Sequence, residues 1–338
     1  MLDIFNNDAF SLISLTAAIN KIDHIPGRAG ELAFSGVGSG VNTTTVAIEQ
    51  KGETLSLVSS AQRGAPVAQI GGVARTADYI GVPFLPLESV IRADEVQNVR
   101  AFGSDNNAEA VQAVVASRMS SLVQRHDLTL ENLRLGALKG QVIDADGTTV
   151  LVDLFSKFGV TAEAAVNFAL TTGTTDVRQK CQEVIRKMRV NSKMALPGSA
   201  RVHALVGDNF FDALIGHANV KGVYDGYAAA ERRLGGDYSH GIFEFGGIFF
   251  ENYRGSDDGV VGIGTDTARF FWTNAPGIYA EYYAPGDFLE TANTIGLPRY
   301  AKMAPDVSGL NRYVTLHTQQ SPLPLCLRPK TLMSATKA

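Results

Sequence analysis

The sequence predicts an α+β fold, and three observations carry that prediction. Short β-branched or aromatic runs meet at strong hairpin turns, notably IFEFGGIFFENYRG at 242–255 and KGQVIDADGTTVLVDLF at 139–155. Elsewhere apolar residues recur at three- and four-residue steps, the period of a helix, most extensively from Asn107 onward. The 338 residues are 45% hydrophobic, enough to build about two domains with a proper core.

Taken in order, residues 8–22 read as an amphipathic helix with Asp8 as cap and Phe10, Leu12 and Ile13 on its apolar side. Pro26, Gly27 and Gly30 end it. No local core covers this helix, so it must dock elsewhere. Residues 43–60 read as a hairpin, TTTVAIEQ against TLSLVSS with KGE between them, flanked by glycine-rich stretches. Val46, Ile48, Leu55 and Leu57 are its apolar positions, and Arg63 follows. Two strands alone are marginal, so this arm also needs a neighbour. GVGSGV before it lacks the third glycine and the following helix of a nucleotide loop.

A short helix is expected over 92–100 and a long one from Asn107, with Val111, Val114, Val115, Met119, Leu122 and Val123 on its stripe. It continues through Leu130, Leu133 and Ala137, with a candidate break at Asp127–Thr129. Asp146-Gly147 then marks a hairpin turn. A further helix follows TTGTTD, capped by Asp176 or Thr175, with Val177, Cys181, Val184, Ile185 and Met188 facing inward. Its later turns are basic (Arg186, Lys187, Arg189, Lys193), which suits a helix C-terminus. ARVHALVGD reads as a strand, NFFDALIGH as a helix capped by Asp208 or Asn209, and 219–234 as another helix. Residues 310–333, with Pro322, Pro324 and Pro329, read as one extended terminal strand of edge character.

Composition narrows the function. Charged residues are 19%, below the usual ~25%, which fits a protein that hides much of its exterior against copies of itself and also fits a large monomer. A net charge of −4 with no basic domain argues against tight nucleic-acid binding. Cys181 and Cys326 have no metal-like spacing and read as buried thiols. The acidic start MLDIFNNDAF is unlike a signal peptide, and no apolar run reaches membrane-spanning length. Among six histidines none pairs at i, i+4, and neither G-x-S-x-G nor a P-loop occurs. Asp257, Asp258 and Glu281 are of metal-ligating type but read as solvated acids. No catalytic residue, cofactor site or metal site is expected.

Six phrases, in order, then carry a resemblance. They are 43–58 with SAQRGAP after it, 131–159, GDNFFDALIGH, IFEFGGIFFENYRG, GLPRYAKMAPD and SPLPLCLRP. Together the chain resembles the phage major capsid protein E family, the coats of lambda-like tailed phages. One departure is that Ser321 is followed directly by Pro322, where similar coats often place an Asn between them.

The resemblance implies an HK97-like fold. Residues 1–30 become an N-terminal arm, 31–72 an E-loop, 73–158 with 310–338 a peripheral (P) domain built on a long spine helix, and 159–309 an axial (A) domain. It implies a non-enzymatic role: self-assembly into hexamers and pentamers of an icosahedral virion head, formed in the host cytoplasm. Scaffolding, portal and decoration proteins are the implied partners, with double-stranded DNA enclosed but not specifically bound and no membrane involved. Intersubunit contacts are expected at Phe10, Ile13, Val46, Ile48, Leu55, Leu57, Arg63, Glu251 and Arg254. A soluble α+β enzyme of hydrolase type without a local motif, or a non-viral compartment shell, are the competing readings.

Overall fold

A computed structural model describes residues 27–51, 75–96, 107–234, 242–253, 255–256, 261–308, 310 and 312–338. The chain enters through a helical turn, Gly30–Phe34. Four strands follow: β1 (Gly38–Gly40), β2 (Thr45–Lys51), β3 (Arg75–Gly81) and β4 (Leu85–Arg92). After the single turn α1 (Ala93–Val96) comes α2, Asn107–Lys139, one unbroken helix of 33 residues, about 50 Å long.

The expected break in α2 does not occur, because its polar residues are satisfied sideways. Asp127 pairs with Arg299, His126 meets Thr318, and the Thr129 hydroxyl donates back to the Arg125 carbonyl. The helix joins two hydrophobic cores. Val115, Met119, Leu122 and Val123 pack in a small one with Ile91, Ala301 and Leu316. Leu133, Leu135, Ala137 and Leu138 lie in the main one. At its end Gly140 takes φ +88°, and a Cβ there would meet the Phe155 ring at 2.1 Å, so glycine is required.

Strands β5 (Gln141–Ile143) and β6 (Val150–Asp153) flank the predicted turn, where Asp146 accepts from the amides of Thr148 and Thr149. The short helix α3 (Leu154–Lys157) and strand β7 (Val166–Asn167) lead to α4, Val177–Ser192. Asp176 caps α4 through the Gln179 amide. All five predicted apolar residues of α4 are buried.

Then come β8 (Arg201–Val206), α5 (Asp208–Gly216), α6 (Ala218–Leu234), β9 (Ile242–Phe245), β10 (Ile248–Asn252), β11 (Thr267–Thr273), β12 (Tyr279–Tyr283), β13 (Tyr300–Pro305), β14 (Tyr313–Gln320), β15 (Pro322–Cys326) and β16 (Met333–Thr336). Gly207, not Asp208 or Asn209, is the N-cap of α5. A Cβ on Gly207 would lie 2.4 Å from the Gly264 carbonyl oxygen, so close backbone approach decides the residue. Gly246 and Gly247 have φ of +61° and +85°, the conformation a two-residue hairpin turn demands.

The largest sheet has six strands in the order β7-β16-β11-β8-β10-β9, with β8 and β10 parallel. A second has the order β13-β14-β4 and carries α2 on one face. A third has the order β1-β12-β15.

One expectation is extended and one needs correction. Thr45–Lys51 pairs with Arg75–Gly81, Lys51 opposite Arg75, a partner the sequence did not suggest; residues 52–74, including the expected partner 54–60, lie outside the described residues. The tail after residue 310 is not one edge strand. β14 is central in its sheet, β15 edges another, and β16 is interior to the six-stranded sheet. Pro322 and Pro324 fall on β15, where an outer strand tolerates a missing N–H, and Pro329 opens the 3-10 turn Pro329–Thr331 that follows it. The predicted helix 8–22 lies outside the described residues.

Candidate functional site

The strand IFFEN ends in the residues that hold the front of the chain in place. Glu251 is 2% exposed. Its two oxygens accept from Arg28 Nε and Nη2, each at 2.7 Å, and Oε2 also lies 2.9 Å from His203 Nε2. Alternation along β10 puts Glu251 on the His203 face of the sheet, opposite Phe250, which packs with Phe270 on the other face. Burial alone would raise the Glu251 carboxyl, but the bonds from His203 and Arg28 outweigh it and leave it below its ordinary value.

Two residues on, the Tyr253 hydroxyl donates to Glu131 Oε1 at 3.1 Å. Burial, then the Glu131 charge, push that phenol upward, so it stays a donor. Glu131, on α2, also accepts from the backbone amides of Ala29 (2.8 Å) and Gly30 (3.3 Å). One turn along, Arg134 makes a bidentate pair with Glu281 of β12 at 2.9 and 2.8 Å, and the Tyr283 hydroxyl donates to the same carboxylate. A Cβ on Gly27 would meet Glu131 Oε2 at 2.1 Å, and one on Gly30 would meet Arg134 Nη1 at 2.4 Å. The glycines of Gly27-Arg28-Ala29-Gly30 therefore do more than stop a helix. They let the backbone lie on α2.

The arrangement is a clamp. It fastens the point where residues 1–26 leave to the long helix, the six-stranded sheet and β12 together. It has no free nucleophile or base, since each acid is bound by cations or amides. Among the described residues no group of three or more His, Cys, Asp or Glu is arranged to hold a metal ion. Cys181 and Cys326 are buried free thiols, both pushed up to about 12 by desolvation and so unreactive.

The residues expected at intersubunit contacts fare differently. Val46 is buried opposite Ile80, and Ile48 is half-buried opposite Asp78. Glu251 is turned inward and its charge is spent inside the subunit, which takes its side chain out of any surface contact. Phe10, Ile13, Leu55, Leu57, Arg63 and Arg254 lie outside the described residues. Sequence reasoning missed Arg28, Glu131 and His203. For Glu131 the one local signal is an acid placed in the apolar run LTLENLRL; Arg28 and His203 carry none.

A family model described as phage major capsid protein E matches residues 11–337. The chain belongs to the phage major capsid protein E family. Within reach of that family, the major capsid protein of Salmonella phage Felix O1 (isolate Felix O1-VT1) is 25% identical over 368 aligned positions, covering 98% of each chain. The solved capsid structure of cyanophage P-SCSP1u superposes with a TM-score of 0.51 at 13% identity, over 91% of this chain and 88% of that one. At that identity the likeness concerns the fold alone, which is HK97-like. As a family member the chain has a structural role: it is a major capsid protein of a tailed phage. No helix among the described residues is long and apolar enough to cross a membrane.

A second buried polar group makes the capsid subunit acid-sensitive. His126 is 1% exposed, with Nε2 3.0 Å from the Thr318 hydroxyl. Burial, then the charge of nearby Arg299, lower it from 6.5 to about 4. The unfolded chain thus takes up a proton at His126 before the folded one does. Stability is intact above pH 6.5 and falls between 6.5 and about 4, by about 3 kcal/mol in all. Chemical denaturation of wild type and His126→Gln at pH 7.5 and 4.5 checks this. The wild type should lose more stability than the variant on acidification; equal losses would contradict it.

Proposed function

We propose that the subunit forms hexamers and pentamers of an icosahedral shell through two extensions, the N-terminal arm (1–30) and the E-loop (31–72). The body between them is a P domain at 73–158 joined by 310–338, and an A domain at 159–309. The observation that carries this reading is the β2–β3 ribbon. It is a separate two-stranded sheet, Tyr79 on it is 68% exposed, and its far end closes on no third strand among the described residues. Such a ribbon is marginal alone and gains its stability against a neighbouring copy. Val46 and Ile80 seat its base in the main core, leaving Leu55, Leu57 and Arg63 for contacts between copies.

The clamp supports the same role for the arm. By holding residues 28–31 it fixes the base of the arm, and Phe10 and Ile13 are the arm's candidate anchors on another copy. Scaffolding, portal and decoration proteins complete the head. DNA fills the shell without a specific site, in keeping with the net charge of −4. A double change, Phe10→Asp with Ile13→Asp, should leave the purified subunit folded and cut the yield of particles in sucrose gradients at least tenfold. Wild-type yield from that variant would remove the arm from the assembly contacts.

A further inference from the structure

The basic end of α4 takes no part in the clamp or the ribbon. A groove of about 380 Å³ opens there, lined by Arg189, Ser192, Met194, Leu196, Arg201 and Trp272 among others. Arg201 Nη1 donates to the carbonyls of Gly198 (2.7 Å) and Ala200 (3.0 Å), which shapes the rim. Arg189 is exposed and has no ion-pair partner among the described residues. Trp272 is 3% exposed, yet its Nε1 is buried without an acceptor. Its burial makes Trp272 the closed apolar floor of the groove, below the charged rim. A cationic mouth over an apolar floor fits a carboxylate-bearing segment of protein.

The opposite end of the same sheet is acidic. β8 begins at Arg201 and ends at Val206, about 17 Å away. Just beyond lie Asp208 and Asp212 on α5 and Asp266 before β11, all exposed. Asp208 accepts from Asn252 and Asp266 pairs with Lys337. Asp212 has no ion-pair partner among the described residues. Helices at the two ends of this sheet therefore carry, among the described residues, an unpaired cation (Arg189 on α4) at one end and an unpaired anion (Asp212 on α5) at the other. Contacts that close a ring join two different patches of neighbouring copies, and opposite charges at the two ends suit that geometry.

We propose that the groove at the end of α4 receives the acidic end of the six-stranded sheet of a second copy, with Asp212 of the partner subunit paired to Arg189. This rests on the self-assembly reading. The test uses the full chain and scores particle yield by light scattering and electron microscopy, with circular dichroism as the check on folding. Arg189→Glu and Asp212→Arg alone should each cut yield at least tenfold while staying folded. The combined Arg189→Glu/Asp212→Arg chain should recover most of the wild-type yield, and Arg189→Ala should fall between wild type and Arg189→Glu. Wild-type yield from Arg189→Glu, or a combined variant no better than the folded single ones, overturns the proposal. So does an Arg189→Glu shell that forms normally but retains less duplex DNA, which would assign the groove to nucleic acid. A wild-type chain that never assembles would instead defeat the self-assembly reading itself.

Discussion

Arg28→Ala is expected to destabilise the subunit by about 3–5 kcal/mol, a large share of the roughly 5–15 kcal/mol that holds a domain together. The cost arises on the other side of the pair. Glu251 is 2% exposed and would keep only His203 as a partner. A buried carboxylate without its cation is worse than no carboxylate. Arg28→Ala combined with Glu251→Gln should therefore be more stable than Arg28→Ala alone, because the amide still hydrogen-bonds to His203 and carries no charge. Denaturant titration of the four proteins of this double-mutant cycle measures the coupling. A loss under about 1 kcal/mol for Arg28→Ala, or a double variant weaker than the single one, would show that the clamp does not hold as described.

Excising residues 52–74 is expected to separate folding from assembly. Lys51 lies directly opposite Arg75 in the β2–β3 register, so an Asn-Gly pair can join them as a two-residue turn. The shortened ribbon keeps Val46 and Ile80 in the core. The subunit should melt within a few degrees of the intact one, since no described core contact is removed. Particles should nevertheless disappear from gradients and micrographs, because the part that reaches a neighbour has gone. Normal shells from this variant would reject the E-loop assignment. A subunit that no longer folds would show that residues 52–74 serve the subunit's own core.

What was legible in the sequence is what short-range physics governs. The Gly246-Gly247 and Asp146-Gly147 turns, the Asp176 cap and the apolar stripe of α4 depend on residues within a few positions of each other. The 33-residue helix was legible except at Asp127–Thr129, where partners such as Arg299 and Thr318 lie some 170 to 190 positions away. Long-range pairing was not legible. Nothing local tells Thr45–Lys51 to prefer Arg75–Gly81, or splits the tail among three sheets. The clamp was hidden for the same reason: Arg28 and Glu251 are 223 positions apart. Glu251 in IFFENYRG was expected at a contact between copies, whereas Arg28 and His203 bind it from inside the subunit. A charge in a strand is solvated only if no cation reaches it from inside.

The measurement that bears most directly on the whole account is electron microscopy of the purified full-length chain, with light scattering on the same sample. Closed shells of uniform size, built from rings of five and six copies, are the predicted result. A stable, monodisperse species near the 36.1 kDa of one chain, persisting at high concentration and with the scaffolding partner supplied, would contradict it.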